Sequence, residues 1–148
     1  MLLRAILAFL VCPGTVAVLV PLLLIPWDDP AVRLHPIGMP VLLLGFIGLL
    51  WCVRDFYVAG KGTLAPWAPP QRLVIVGLYR FSRNPMYVSV LLILMGWAAS
   101  FRLRSLWIYA LIVAVAFHVR VVVAEEPTLA RMHGEDWTRY RQRVRRWF

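Results

Sequence analysis

Residues 80–96 read RFSRNPMYVSVLLILMG. An apolar run starts here directly behind Arg83, Asn84 and Pro85, with no plain loop between them. Asn84 suits a helix N-cap, and Pro85 suits the first helical turn, where a missing N–H costs nothing. The run is therefore expected to form a helix from Pro85 to about residue 101. Its polar start would lie at a membrane boundary, so the reading turns on what else the chain brings to that level.

The chain has 148 residues, of which 61% are hydrophobic and 16% charged. That apolar share exceeds the roughly 45–50% of soluble proteins, and the charges sit between long apolar runs. This is the pattern of a polytopic membrane protein forming a single domain. The net charge of +9 then reports anionic headgroups and topology, not nucleic acid. Cys12 and Cys52 lie inside apolar runs and make neither a disulfide framework nor a metal-ligand set, so no metal is expected. The apolar stretch behind Arg4 continues to about residue 25 without a small-residue cleavage site, which reads as a retained span and not a leader.

Four spans are expected, at about 5–25, 37–53, 85–101 and 106–124. Pro13 and Pro21 should kink the first. The second and third are short for a hydrocarbon core of about 30 Å. Arg4, Arg54, Lys61, Arg72, Arg80, Arg83 and six tail arginines from Arg131 to Arg146 fall on one side, against Arg33, Arg102 and Arg104 on the other. Arg120 lies within the fourth span. The excess of twelve to three places both termini in the cytoplasm.

This divides the chain into two N-terminal spans (1–53), a cytoplasmic or interfacial loop (54–84), a helical hairpin (85–124) and a cytoplasmic tail (125–148). The loop holds Gly60, Gly62 and Trp67 and reads as flexible or partly re-entrant. In the tail, Tyr140, Val144, Trp147 and Phe148 fall within an arc of about 100° on a wheel starting at Trp137. Arginines fill the rest, which is the pattern of an amphipathic helix on the membrane surface. The fold class is thus all-α: a polytopic bundle of about four transmembrane helices plus an interfacial C-terminal amphipathic helix.

A hairpin returns its far end to the level of its start. Arg83-Asn84-Pro85 should therefore meet Glu125-Glu126, two of only seven acidic residues in the chain. A helix start beside a guanidinium is a ready anion site. Two adjacent carboxylates at a helix C-terminus are disfavoured by the dipole and by each other. They either pair with nearby arginines or bind a cation such as an α-amino group or sulfonium, and Pro127 should kink or end the helix behind them. His118 stands seven residues before Glu125, on the same face and about 10 Å away along the axis. With Arg120 it suggests a polar pocket descending from the membrane face, although a histidine can equally spend itself on a backbone carbonyl. Facing anion and cation sites suit a zwitterionic amino-acid moiety.

GLYRFSRNPMY and AEEPTLARMHGEDWTRYRQRVRRW resemble the two signature blocks of the isoprenylcysteine carboxyl methyltransferase and phospholipid methyltransferase superfamily. The first matches through Gly77, Tyr79, Arg83, Asn84, Pro85 and Tyr87, and the second through Glu125, Glu126, Leu129, Gly134, Trp137 and Tyr140. The resemblance spans about residues 60–147, while the first two spans match only as generic membrane helices. Trp137 stands where the family often has tyrosine, and Met132-His133 replaces an aromatic.

The resemblance implies methyl transfer from S-adenosylmethionine to a lipophilic acceptor, with the cofactor held at the cytoplasmic end of the last spans and covered by the tail. Gly77, Tyr79, Arg83, Asn84, Pro85, Tyr87, Glu125, Glu126, Trp137 and Tyr140 would bind the cofactor. Arg83 would take the methionine carboxylate and a glutamate its amino group, with Trp137 or Tyr140 beside adenine or the sulfonium. His118, Arg120 and Glu125 would serve the reacting groups. The acceptor, a lipid amine or an isoprenylcysteine-type carboxylate or another lipophilic molecule, stays open, as does the oligomeric state. Two other readings stand beside this one: an NADPH-dependent sterol or isoprenoid-type reductase, and a membrane protein whose polar cluster is only structural.

Overall fold

The computed structural model describes residues 10–26, 29–59 and 73–147. The loop residues Gly60, Lys61, Gly62, Trp67 and Arg72, with Arg4 and Phe148, lie outside them. Among the described residues the chain is helical without strands.

The first helix, α1, is a wide π-type helix over Leu10–Leu19 followed by an α-helical turn at Val20–Leu24. Pro13 and Pro21, expected to kink this span, lack the N–H that regular winding needs, and the change from π-type to α-helical winding accommodates that loss. A short 3₁₀ turn, Pro36–Gly38, leads into α2, Met39–Ala59. That helix runs past residue 53, the expected end of its span, and carries Arg54 and Asp55 in its last turns. Helix α3 is Pro85–Phe101, opening at the proline as expected, and α4 is Arg104–Arg120. Two residues join them, and the first, Arg102, takes the left-handed conformation (φ 54°).

The chain does not break after α4. It widens through a π-type turn, Val121–Glu125, and continues as α5, Glu126–Arg143. Pro127 was expected to kink or end the helix. The wide turn in front of it leaves room for the ring and removes the need for its missing N–H, so winding proceeds. The bend falls instead at Gly134, whose backbone leaves helical geometry (φ 48°, ψ −115°).

The helices pack through small residues. Gly38, Gly45 and Gly48 on the α2 side meet Ser89, Ile93, Gly96 and Ser100 of α3 so closely that a Cβ on Gly45 would stand 2.7 Å from the Ile93 nitrogen. Without a hydrophobic drive between helices in lipid, such backbone approach gains van der Waals contact. The central core joins Ala17, Leu49, Val90, Ile93, Leu94, Ala110 and Val113. The outward faces are as apolar as the core: Leu43, Leu44, Ile47 and Leu50 on α2 and Ile108, Leu111, Ile112 and Val115 on α4 are all exposed. Serines and an aspartate are buried while leucines face out, an arrangement suited to a hydrocarbon surround. Two helical stretches, Pro36–Ala59 and Arg104–Arg143, are long and apolar enough to cross a bilayer.

Candidate functional site

The approach to α3 is built on one glycine. Gly77 has φ +57°, and a Cβ there would land on the Asp55 carboxylate, so the turn Gly77–Arg80 can lie against α2 only with glycine at its head. The turn buries Tyr79 among Cys52, Val74 and their neighbours. The Tyr79 carbonyl accepts a hydrogen bond from the Tyr140 hydroxyl at 2.7 Å, which ties the turn to α5.

The triplet ahead of Pro85 works differently from the expected cap. Asn84 makes no side-chain cap on α3. Its backbone N–H donates to Ser82 Oγ at 3.1 Å, and its side-chain amide donates to the Arg146 carbonyl at 3.0 Å. The Arg83 N–H donates to the Arg145 carbonyl at 2.9 Å, and Ser82 pairs with Arg145 as a parallel bridge. The end of the chain is therefore strapped across the start of α3. This corrects the tail reading: α5 stops at Arg143, Val144 is extended (φ −120°, ψ 130°), and Trp147 does not continue a helical face. Backbone donors and acceptors around Ser82 had no partners in a helix or sheet, and an extended strap satisfies them.

Glu125 and Glu126 do take different directions, and both are paired with arginines. Glu125 accepts from the Tyr87 hydroxyl and from Arg120 Nε at 2.8 Å, which joins α3 to α4. Glu126 receives Arg146 in a two-pronged contact, Nε at 2.8 Å and Nη2 at 2.9 Å, and lies 3.0 Å from Arg83 Nη1. Among the described residues, His118 is joined to this cluster by no hydrogen bond or ion pair. It is exposed, and its ring lies 6.1 Å from that of Trp147. The expected shared face with Glu125 assumed 3.6 residues per turn; the π-type turn between them changes the phase.

The remaining aromatic candidates are interior parts of the tail. Trp137, 3% exposed, has the Arg83 guanidinium 5.5 Å from its ring centre, a cation–π arrangement. Trp137, Tyr140 and Val144 form a small core with Leu73 and Leu129. Beside it an open cleft of about 560 Å³ is bounded by Leu73, Ile75, His133, Tyr140, Arg143 and Val144, among others.

Electrostatics follow from burial. Desolvation pulls the Arg83 pKa down, and Glu126 works in the opposite direction. Arg146 is held up by its hydrogen bonds to Glu126. Burial pushes the Tyr79 phenol well above its ordinary range, so it stays neutral. Arg83 is the group with capacity to spare: its Nε and Nη1 are buried without a hydrogen-bond partner, the contact to Glu126 being an ion pair of poor alignment. Sequence reasoning brought Arg83, Tyr87, Arg120, Glu125, Glu126 and Trp137 to one end of the hairpin, and the structure assembles them there. It missed Ser82, Arg146 and the buried Asp55. Arg146 is one arginine in a basic run, and nothing in its spacing separates it from the others.

A helical chain with apolar outer faces and a buried charge cluster at one end of a hairpin defines a membrane protein with an internal polar site. The model of the phospholipid methyltransferase family matches residues 34–136, and the chain belongs to that family. The match takes in α2, beyond the resemblance seen from the motifs, and stops just before Trp137. An uncharacterised protein of Haemophilus influenzae is 34% identical over 62 residues, which is 42% of this chain and 98% of that one. No solved structure matches.

Proposed function

We propose that the chain is an integral-membrane methyltransferase that uses S-adenosylmethionine and acts on a lipophilic acceptor, with a phospholipid amine the foremost candidate. One observation carries the reading: in a member of this family, the hairpin's polar end holds a buried arginine with unspent donors beside a carboxylate. An arginine with free N–H groups fits a carboxylate ligand, and Glu126 beside it fits an ammonium, so the residues suit the amino-acid end of the donor. The adjoining cleft, where Leu73, Ile75 and Val144 stand beside His133, Asp136, Arg139 and Arg143, has the size for the rest of it.

The bound donor would supply an electrophilic methyl group on a sulfonium. The protein's task is then alignment and exclusion of water. Arg83 holds the ligand carboxylate, and the cation–π contact with Trp137 fixes its plane. Tyr87 and Arg120 lock Glu125, which keeps the ends of α3 and α4 together. Tyr140 braces the Gly77–Arg80 turn through the Tyr79 carbonyl. Asn84 and Pro85 set the start of α3 and its join to the strap. His118, exposed beside Trp147, would orient the acceptor or take a proton. Four spans with both termini on the cytoplasmic side agree with the distribution of the arginines, and the whole forms one domain with lateral access for a lipid.

Titration of the detergent-purified protein with S-adenosylmethionine and, separately, NADPH tests the reading, joined to transfer of labelled methyl into extracted membrane lipids. Binding of the methyl donor alone, with label appearing in the lipid fraction, is the expected result. A folded protein that binds neither compound, or NADPH only, would refute it.

A further inference from the structure

We infer that Glu126, and not Glu125, is the carboxylate that receives the ammonium of the ligand's amino-acid end, and that Arg146 is a built-in occupant of that place which the ligand must displace. The inference rests on the methyltransferase reading and says which group of the pair binds and what competes for it.

The two glutamates differ in what holds them. Glu125 is fixed by partners on the hairpin itself, Tyr87 from α3 and Arg120 from α4, so its release would cost a polar tie between two core helices. Glu126 is held by Arg83, which starts α3, and by Arg146, which belongs to a four-residue strap beyond the last helix. The strap is fastened to residues 82–84 by a few hydrogen bonds: the Arg83 N–H to the Arg145 carbonyl, and Ser82 Oγ and the Asn84 amide to the Arg146 carbonyl. It contributes Val144 alone to the buried apolar cluster of the tail. Segments held this way open at low cost.

Charge points to the same conclusion. Glu126 faces two guanidiniums, so the cluster carries one positive charge in excess, in a setting where the side chains of Arg83 and Glu126 are 9% and 14% exposed. Exchange of the Arg146 guanidinium for a zwitterion leaves it neutral: the ligand ammonium takes the place of Arg146 on Glu126, and the ligand carboxylate takes the unspent Nε donor of Arg83. Arg146 is thus a stand-in for the ligand's cation, and the strap guards the site when it is empty.

Two nucleosides test this on the full-length protein in detergent. S-adenosylhomocysteine carries the amino-acid end, while 5′-methylthioadenosine carries the same nucleoside and thioether without it. The Arg146→Gln variant is expected to bind S-adenosylhomocysteine about tenfold more tightly, the scale of one charge-assisted pair partly open to water. It should leave 5′-methylthioadenosine unchanged. Arg146→Lys, which keeps the charge but loses the two-pronged contact, should fall between, and Glu126→Gln should weaken the first nucleoside only. Weaker or unchanged binding of S-adenosylhomocysteine by Arg146→Gln overturns the inference, as does an equal shift for both nucleosides. Failure of the folded wild-type protein to bind either one instead removes the methyltransferase reading beneath it.

Discussion

Among the described residues, three backbone positions with positive φ carry different loads. At Arg102 the left-handed turn between α3 and α4 is made by a residue with a Cβ, although its N–H still closes the helix on the Ala98 carbonyl at 2.8 Å. Glycine is the residue that takes this conformation freely. Arg102→Gly is therefore expected to raise stability by about 0.5–1 kcal/mol, seen as a higher melting temperature in detergent. Gly134 bends α5 where a Cβ would meet nothing within 4 Å. Gly134→Ala should cost the backbone strain alone, about 1–3 kcal/mol. Gly77 adds a collision with Asp55 to the strain of its own positive φ, so Gly77→Ala should cost clearly more and loosen the Tyr79–Tyr140 tie. Melting curves of the two alanine variants side by side check the order; equal losses would contradict it.

At the scale of elements, the fold rests on how near α2 and α3 approach. Gly96 lies so close to α2 that a Cβ would stand 2.6 Å from the Leu42 nitrogen, and Gly45 meets the α3 backbone in the same way. Leucine at either position must push the helices apart, with a loss of about 1–3 kcal/mol or more. Gly45→Leu and Gly96→Leu are expected to reduce folded yield sharply, whereas Leu43→Ala on the outer face of α2 should leave it intact. These helices were legible in the sequence because their apolar runs and the Asn-Pro start are local signals. The hairpin that brings Arg83 to Glu126 was legible too, since so short a connection allows no other return. The continuation through Pro127, the displacement of His118 from the glutamates and the strap were not. Each depends on a wide turn or on an extended pairing between residues more than sixty apart, and neither leaves a periodic trace.

For the whole molecule, polarity runs inside out: Asp55, Ser89 and Ser100 are buried while leucines and isoleucines cover the outer faces. The helical stretch Arg104–Arg143 is 40 residues long. At 1.5 Å per residue its full contour is about 60 Å, roughly twice the depth of a hydrocarbon core, and about 45 Å of it precedes the bend at Gly134. Only its first half is apolar, so the second half projects from the lipid with Glu126 near the border. The join is continuous, and α4 cannot tilt without moving α5. Bilayers of different thickness impose different tilts on a fixed apolar length, so acyl-chain length becomes an input to the charged cluster. Reconstitution in phosphatidylcholines of graded chain length is expected to give donor binding that peaks at one thickness and falls on both sides. A flat response would show that the wide turn Val121–Glu125 uncouples the two halves. With coupling intact, the charged cluster senses the physical state of the membrane around it.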